Sequence, residues 1–184
     1  TALPSSGGHT YENNFISADL STSHTLLWNR WDEPGSSFDN NYCYFSFPNP
    51  HPFLSTGFDD HGSTDYYRNN VFEVIFNSDG ANIIMAIDHV EQVVTGNLII
   101  GNGSLVSNVG THTNLNVTLK NNTCYAPVEI TDPWGMLWLS ESGSGAGNIM
   151  IANNLIAGEV GILNAIAGIS GVTQTIGYSN HNNF

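Results

Sequence analysis

Apolar and polar positions alternate along this chain on both sides of a recurring Asn-rich turn. Three places before the second residue of each turn stands an apolar residue: Tyr11, Phe38, Tyr67, Val94, Leu119 and Ile151. The next position is mostly polar: Glu12, Asp39, Arg68, Thr95, Lys120 and Ala152. Two places after the turn another apolar residue follows: Ile16, Cys43, Phe72, Ile99, Cys124 and Ile156. Alternation of period two predicts two short strands per unit, each burying one face.

The turn recurs along almost the whole chain. Its second residue is always Asn, at Asn14, Asn41, Asn70, Asn97, Asn122, Asn154 and Asn183, so successive turns lie about 25 to 32 residues apart. The last unit departs from the pattern, because Asn180 occupies its apolar position. This period, with strand signals and no helical periodicity, predicts an all-β solenoid of about six to seven coils.

Each unit also carries a further apolar segment between two turns. These segments are residues 26–28, 53–54, 83–85, 105–106, 136–139 and 162–163. They predict a third strand in each coil and one β-helix domain over residues 1–184. The turns begin close to Thr1, no amphipathic helix precedes them, and the chain ends on Phe184. We therefore expect one or both ends of the solenoid to be uncapped.

Residues 117–123, Val-Thr-Leu-Lys-Asn-Asn-Thr, resemble the strand and ladder turn of the pectate-lyase-like superfamily. The resemblance implies a right-handed parallel β-helix in which stacked Asn side chains form a ladder. The ladder residues would be Asn14, Asn41, Asn70, Asn97, Asn122 and Asn154. Coils stack about 4.8 Å apart, so identical side chains can hydrogen-bond in register and satisfy the polar groups of a buried bend.

Two cysteines, Cys43 and Cys124, occupy the apolar position after the turn in coils three steps apart. Three steps of about 4.8 Å separate their Cα atoms by roughly 14 Å, which is too far for a disulfide. We therefore expect two buried free thiols that pack as small apolar residues.

The amino-acid composition limits the classes of partner that the protein is expected to bind. The chain has 3 Lys and Arg against 16 Asp and Glu, a formal net charge of −13. That balance argues against nucleic acid and anionic membranes, which are bound through cations, and no segment is apolar enough for membrane insertion. We expect an extracellular or cell-surface protein, with glycosylation sequons at Asn102, Asn116 and Asn121.

Acidic residues follow apolar ones at matching intervals in the first three coils. Asp32, Asp59 and Asp88 are expected to form one column, with Asp60 next to Asp59 as a further candidate metal ligand. Repulsion between like charges in a column favours either a bound cation or raised pKa values, and a metal is the simplest specific hypothesis. Carboxylate oxygens suit Ca²⁺, and the same spacing suits the carboxylate pair of a glycosidase. Aromatic and imidazole groups near the column offer sugar-binding surfaces: Trp28, Trp31, Phe58, His61 and His89. The alternative interpretation is a set of strand-end acids on a solvated face.

Two classes of function remain. The first is an extracellular structural or adhesive β-solenoid that self-associates end to end, or packs on the rest of a larger β-helix protein, with Ca²⁺ as a candidate link. The second is a carbohydrate-active enzyme or polysaccharide-binding module, with Asp32, Asp59 and Asp88 as catalytic groups. The resemblance weakens lyase chemistry, because lyases of that superfamily use a Lys or Arg base and this chain has only Arg30, Arg68 and Lys120. The sequence favours the first class.

Overall fold

The computed structural model describes the greater part of the chain. It covers residues 8, 10–19, 25–29, 36–47, 54–60, 64–76, 81–87, 91–101, 116–127, 137–140, 148–158, 166–170 and 175–180. These residues form β-strands and the corners between them, without a helix. The protein is therefore all-β in its described part, as the alternation of apolar and polar positions predicts.

Two parallel sheets meet at the Asn-containing corners. Sheet A has the strand order β1-β4-β7-β10-β12-β15-β18 in the described chain. Its strands are β1 (Thr10–Glu12), β4 (Ser36–Asp39), β7 (Thr64–Arg68), β10 (Glu91–Thr95), β12 (Asn116–Lys120), β15 (Asn148–Ala152) and β18 (Thr175–Asn180). Sheet B has the order β2-β5-β8-β11-β13-β16. Its strands are β2 (Phe15–Asp19), β5 (Tyr42–Phe47), β8 (Val71–Phe76), β11 (Leu98–Gly101), β13 (Thr123–Ala126) and β16 (Leu155–Gly158).

Smaller parallel sheets contain the strands that follow sheet B. One has the order β3-β6-β9, and a second pairs β14 with β17. The strands are β3 (Thr25–Asn29), β6 (Leu54–Asp60), β9 (Ala81–Ile87), β14 (Leu137–Ser140) and β17 (Ile166–Ser170). We call the first of these sheet C. In the described chain six successive passages run from sheet A to sheet B, and all except the fourth continue to a described third strand; residues 102–115, which follow β11, are not described. We call each such passage a repeat.

The core lies between the inward faces of sheets A and B, where the alternation pattern predicts it. Phe38, Tyr67, Val94, Leu119 and Ile151 are buried on sheet A, one per repeat. On sheet B the buried column is Cys43, Phe72, Ile99, Cys124 and Ile156. The rings of Phe38 and Phe72 stack across the two sheets with centroids 6.0 Å apart. Fully burying a side chain of this size stabilises the fold by about 1.5–3 kcal/mol.

Sheet C packs against sheet B at the end of β11. Ile84 of β9 is fully buried, and its Cδ1 lies 2.7 Å from the point that a Cβ on Gly101 would occupy. The Val74 carbonyl oxygen lies 2.3 Å from the same point. Glycine is needed at position 101 because a neighbouring backbone and a side chain together fill the space of any larger residue.

In the last strand, β18, the residue pairing is shifted by one position from the pairing that the sequence pattern predicts. Ser179 pairs with Ile151 and Asn180 with Ala152, after a register irregularity between Ile149 and Met150. The sequence pattern instead aligned Asn180 with Ile151. The bulge moves Asn180 out of the apolar position but places the polar Ser179 beside Ile151, so the last strand still departs from the apolar pattern.

Candidate functional site

The corner between sheets A and B is built from two residues with different conformations. The first residue is in the left-handed region, at Asn13, Asn40, Asn69, Asn121 and Asn153 with φ between 55° and 60°, and at Gly96 with φ 69°. Glycine and Asn are the residues that adopt this conformation most readily. The sequence analysis did not predict a left-handed first corner residue. The occurrence of Gly instead of Asn at position 96 indicates this conformation, because both residues adopt it readily.

The second residue of each corner forms the Asn ladder. Its backbone N–H and its Nδ2 both donate to Oδ1 of the next ladder Asn. Between Asn41 and Asn70 these distances are 2.8 and 3.2 Å, and between Asn70 and Asn97 they are 2.9 and 3.0 Å. The same pair of bonds joins Asn14 to Asn41, Asn97 to Asn122 and Asn122 to Asn154. A backbone N–H can only donate, so the atom facing it must be the amide oxygen, which fixes the orientation of the rungs from Asn41 to Asn154.

The second hydrogen of Nδ2 points back to the preceding repeat. Asn70 Nδ2 donates to the Phe38 carbonyl at 2.7 Å, and Asn97 Nδ2 to the Tyr67 carbonyl at 2.9 Å. Asn41, Asn122 and Asn154 make the equivalent bond to Tyr11, Val94 and Leu119. The Oδ1 and Nδ2 of an internal rung therefore use their full hydrogen-bonding capacity, which allows the amide to be buried.

The end of the ladder at Asn14 is different. Asn41, Asn70, Asn97, Asn122 and Asn154 are buried, with exposed fractions of 1% to 3%, whereas Asn14 is exposed. Asn14 donates to Asn41 Oδ1, but in the described part of the chain nothing donates to Asn14 Oδ1. Strands β1 and β2 are the corresponding edge strands of sheets A and B in the described chain. The Asn14 corner is thus an open hydrogen-bonding edge.

Phe15 marks the same edge on sheet B. Its side chain is 68% exposed, whereas Tyr42, Leu98 and Leu155, which belong to the same outward column, are 38%, 36% and 43% exposed. Phe15 contacts the Tyr42 ring on one side, with centroids 5.4 Å apart. A further strand beside β2 would cover the other side of the Phe15 ring.

The outward face of sheet B carries several exposed large apolar and aromatic side chains. Besides that column, Tyr44 and Tyr125 are 38% and 39% exposed, and they lie three strands apart at one register position. Tyr42 Oη donates to Glu73 Oε2 at 2.8 Å, which raises the pKa of Tyr42. Glu73 therefore holds one of these rings in place.

The structure brings together Asp39 and Arg68, a pair that the sequence analysis missed. Asp39 was expected on the polar face, but it is buried in the second repeat beneath Arg68 of the third. Hydrogen bonds from Arg68 lower the pKa of Asp39, and this effect outweighs the opposing effect of burial. The sequence does contain an indication of this pair, because Asp39 and Arg68 carry opposite charges at equivalent positions of adjacent repeats.

The predicted acidic column falls largely outside the described residues. Asp32, Trp31, His61, Asp88 and His89 are not described, so their roles as catalytic groups, sugar contacts or ligands stay predictions. Trp28, Phe58, Asp59 and Asp60 lie in strands of sheet C, and the backbone gives their register.

The strand pairing in sheet C differs from the alignment of Asp32, Asp59 and Asp88, which was based on their similar spacing in the sequence. Asp59 pairs with Trp28 on one side and with Ala86 on the other, and Asp60 pairs with Asn29 and Ile87. The positions beside Asp59 are therefore not Asp32 and Asp88, which come later in the chain than Trp28 and Ala86. The expected column was wrong in register because loops of unequal length connect the third strands, so equal intervals in sequence do not give equal positions in the sheet.

Cys43 and Cys124 are free and buried. The register runs from Cys43 through Phe72 and Ile99 to Cys124, so the two thiols lie in one column three repeats apart. Burial raises the pKa of each thiol to about 12. Such thiols are unreactive near neutral pH, because the thiolate is the nucleophile and the metal ligand.

The described residues hold no group of three or more His, Cys, Asp or Glu side chains that would bind a metal ion. No helix of sufficient length and apolarity to cross a membrane occurs in the same residues. Comparisons of the chain with protein-family models, curated proteins and solved structures gave no match.

Proposed function

We propose that the protein is a right-handed parallel β-helix with one coil per repeat. The strand orders of sheets A, B and C support this proposal, because consecutive members of each sheet come from consecutive repeats and pair in parallel. The burial of Ile84 against Gly101 supports a core bounded by three sheets. The right hand follows from the strong preference of parallel crossover connections for that handedness.

We further propose that this β-helix is an extracellular structural or adhesive protein that associates with copies of itself by stacking coils. The observation that carries the proposal is the contrast between exposed Asn14 and the buried Asn41, Asn70 and Asn97. One more coil would bury Asn14 as the other coils bury their rungs. An unpaired parallel edge of this kind is a template for another chain, and the scarcity of Lys and Arg suits an extracellular protein by leaving few sites for trypsin-like proteases.

Size measurement tests the proposal. Light scattering after gel filtration, over a hundredfold range of protein concentration, is expected to show a mass that rises above the 19.9 kDa of one chain. Negative-stain imaging of the concentrated protein is expected to show rods rather than compact particles. A mass that stays at one chain over the whole range would contradict self-association.

Calcium is the proposed link in the first half of the chain, up to Glu91, which includes Asp59 and Asp60. The negative charge is concentrated there, since 12 of the 16 acidic residues lie at or before Glu91. The size measurement is therefore repeated with Ca²⁺ and with a chelator. Asp59→Asn is expected to remove the calcium dependence, whereas Glu12→Gln, which removes an exposed acid of sheet A, is expected to preserve it. Assembly that is identical with Ca²⁺ and with chelator would remove calcium from the proposal.

A second candidate function is a carbohydrate-active enzyme or polysaccharide-binding module. The observation that favours it is the pairing of Trp28 with Asp59, which puts an aromatic residue and an acid at one register position on adjacent strands. Aromatic rings stack on sugar faces, and a neighbouring carboxylate would bind hydroxyl groups or act as an acid or base. Incubation with a panel of neutral and acidic polysaccharides tests this function. Cleavage or binding that Asp59→Asn abolishes and Glu12→Gln preserves would favour it over the structural function.

A further inference from the structure

The internal junctions of the ladder define what the open Asn14 corner lacks. Between the second and third repeats, three groups donate forward: Asn40 N–H to the Arg68 carbonyl, and Asn41 N–H and Nδ2 to Asn70 Oδ1. Two groups donate backward: Val71 N–H to the Asn41 carbonyl at 2.8 Å, and Asn70 Nδ2 to the Phe38 carbonyl at 2.7 Å. Each complete corner junction therefore contains five hydrogen bonds of fixed direction.

The same geometry identifies the groups presented by the first repeat. Glu12 carbonyl and Asn14 Oδ1 are the acceptors that correspond to Arg68 carbonyl and Asn70 Oδ1. Phe15 N–H and the second hydrogen of Asn14 Nδ2 are the donors that correspond to Val71 N–H and Asn70 Nδ2. None of these four groups has a partner at the corner in the described part of the chain.

Two Asn14 corners facing each other would not reproduce the hydrogen bonds of an internal junction. The acceptors need two backbone N–H groups from an Asn corner, and those of Asn13 and Asn14 are already used. Asn13 N–H donates to the Asp39 carbonyl at 3.2 Å, and Asn14 N–H to Asn41 Oδ1 at 3.0 Å. A two-fold contact between first repeats therefore offers four donors, Phe15 N–H and one Nδ2 hydrogen of Asn14 from each copy, whereas an internal junction uses five.

We infer that the open corner at Glu12, Asn14 and Phe15 binds the C-terminal end of a second copy of this chain, head to tail, and continues the ladder between molecules. This inference rests on the proposed self-association and adds its polarity. The chain repeats the required corner along its length, with the same direction of donors at each described junction from Asn14 to Asn154. A head-to-tail contact does not close on itself, so it produces an open filament rather than a dimer.

The test uses two substitutions at Phe15. Phe15→Pro removes the outward N–H and places the proline ring in the path of the added strand, and proline is tolerated on a sheet edge. Phe15→Ala removes the same aromatic ring but retains the N–H, so it is the matched control. Both variants are expected to fold, because Phe15 is 68% exposed and its N–H is unused within the described molecule. Thermal unfolding of each variant verifies this.

Association is measured by light scattering and filament length by negative-stain imaging. Phe15→Ala is expected to associate at a moderately higher concentration than the unchanged protein, because it loses the ring that the added strand would cover. Phe15→Pro is expected to associate only at a concentration at least about tenfold above that of Phe15→Ala. Phe15→Pro retains its C-terminal end, so it can still add to the open corner of a growing filament and stop it. A small proportion of Phe15→Pro mixed with unchanged protein is therefore expected to shorten the filaments.

The outcomes separate this inference from the proposed function. If the unchanged protein stays monomeric, the proposed self-association fails, and the inference with it. If it associates and Phe15→Pro associates equally well, the inference is overturned while self-association stands. If the unchanged protein associates only as far as a dimer and Phe15→Pro stays monomeric, the contact is two-fold, and the head-to-tail inference is overturned. Failure of Phe15→Pro to shorten filaments of the unchanged protein overturns it as well.

Discussion

Arg68 binds Asp39 through two parallel hydrogen bonds that cross from the third repeat to the second. Nε donates to Oδ1 at 2.8 Å and Nη2 to Oδ2 at 2.5 Å. The Asp39 side chain is 11% exposed and that of Arg68 44%, so the pair lies at the border between core and solvent. Arg68 also lies over the Tyr66 ring, 5.1 Å from its centroid. The pair therefore joins adjacent repeats on sheet A, away from the ladder.

The first prediction concerns acid stability. Arg68 lowers the pKa of Asp39 in the folded protein, so the pair stabilises the fold above the unfolded Asp pKa of about 3.9, and this contribution is lost as the pH falls through the lower folded value. Asp39→Asn is expected to cost about 1 kcal/mol at neutral pH, because Arg68 is partly solvated. Urea unfolding measured from pH 7 to pH 3 should show that the difference in unfolding free energy between Asp39→Asn and the unchanged protein becomes smaller below pH 4.

Glu12→Gln is the control for this measurement. Glu12 pairs with Asp39 in the register of sheet A but is exposed. Its removal is expected to leave the unfolding curves nearly unchanged at every pH. A Glu12→Gln effect as large as that of Asp39→Asn would mean that general charge repulsion, rather than the ion pair, controls acid stability.

The second prediction concerns an internal rung. Asn97→Leu would leave two donors of Asn70, its N–H and one hydrogen of Nδ2, without an acceptor in a buried corner, and it would remove the bond from Nδ2 to the Tyr67 carbonyl. Each unsatisfied buried group costs about 1–3 kcal/mol, so the variant is expected to lose at least about 2 kcal/mol of unfolding free energy. Chemical denaturation measures this loss.

Asn69→Gly is the matched control on the neighbouring corner residue. Asn69 has a left-handed φ of 57°, and Gly96 already provides that conformation in the next repeat. The control is expected to cost about 1 kcal/mol or less, mainly through chain entropy. Equal losses for the two variants would contradict the assignment of stability to the rung rather than to the turn conformation.

The third prediction compares two glycines. Gly101→Ala would bring a Cβ to 2.3 Å from the Val74 carbonyl oxygen and 2.7 Å from Ile84 Cδ1. The crowding is expected to cost about 1–3 kcal/mol in unfolding free energy, and more if β11 cannot move. Gly96→Asn is the contrast, because the clash it creates is with the Oδ1 end of the exposed Asn69 side chain, which can rotate. In thermal unfolding, the Tm of Gly96→Asn is expected to lie near that of the unchanged protein and the Tm of Gly101→Ala below it. A lower Tm for Gly96→Asn than for Gly101→Ala would contradict the described contacts.

The fourth prediction concerns the thiols. Burial raises the pKa of Cys43 and Cys124 to about 12, so almost no thiolate forms at pH 8. The native protein is expected to resist alkylation at pH 8, and both thiols are expected to react after denaturation. Intact mass measures both states. Rapid alkylation of the native protein, or a mass that shows a Cys43–Cys124 disulfide, would be incompatible with this core.

Sequence pattern predicted the sheet A and sheet B strands well because the corner between them has constant length. From Tyr11 to Ile16, and at each later corner, the residues follow one another without insertion, so the repeat can be aligned residue by residue. The third strand follows loops of variable length, and there the alignment failed. Asp59 was matched to Asp32 and Asp88 by interval, whereas hydrogen bonding in sheet C pairs it with Trp28 and Ala86.

The sequence by itself determined the repeat, the inward columns and the identity of the ladder rungs, because period-two burial and a fixed corner repeat the same local chemistry in every unit. Only the tertiary structure decided which atoms each rung pairs with and how Arg68 covers Asp39. Those features depend on the stacking of one repeat on the next. Residues about 30 positions apart, such as Asn97 and Tyr67, become hydrogen-bonding neighbours only when the repeats are in register, and no local pattern carries that information.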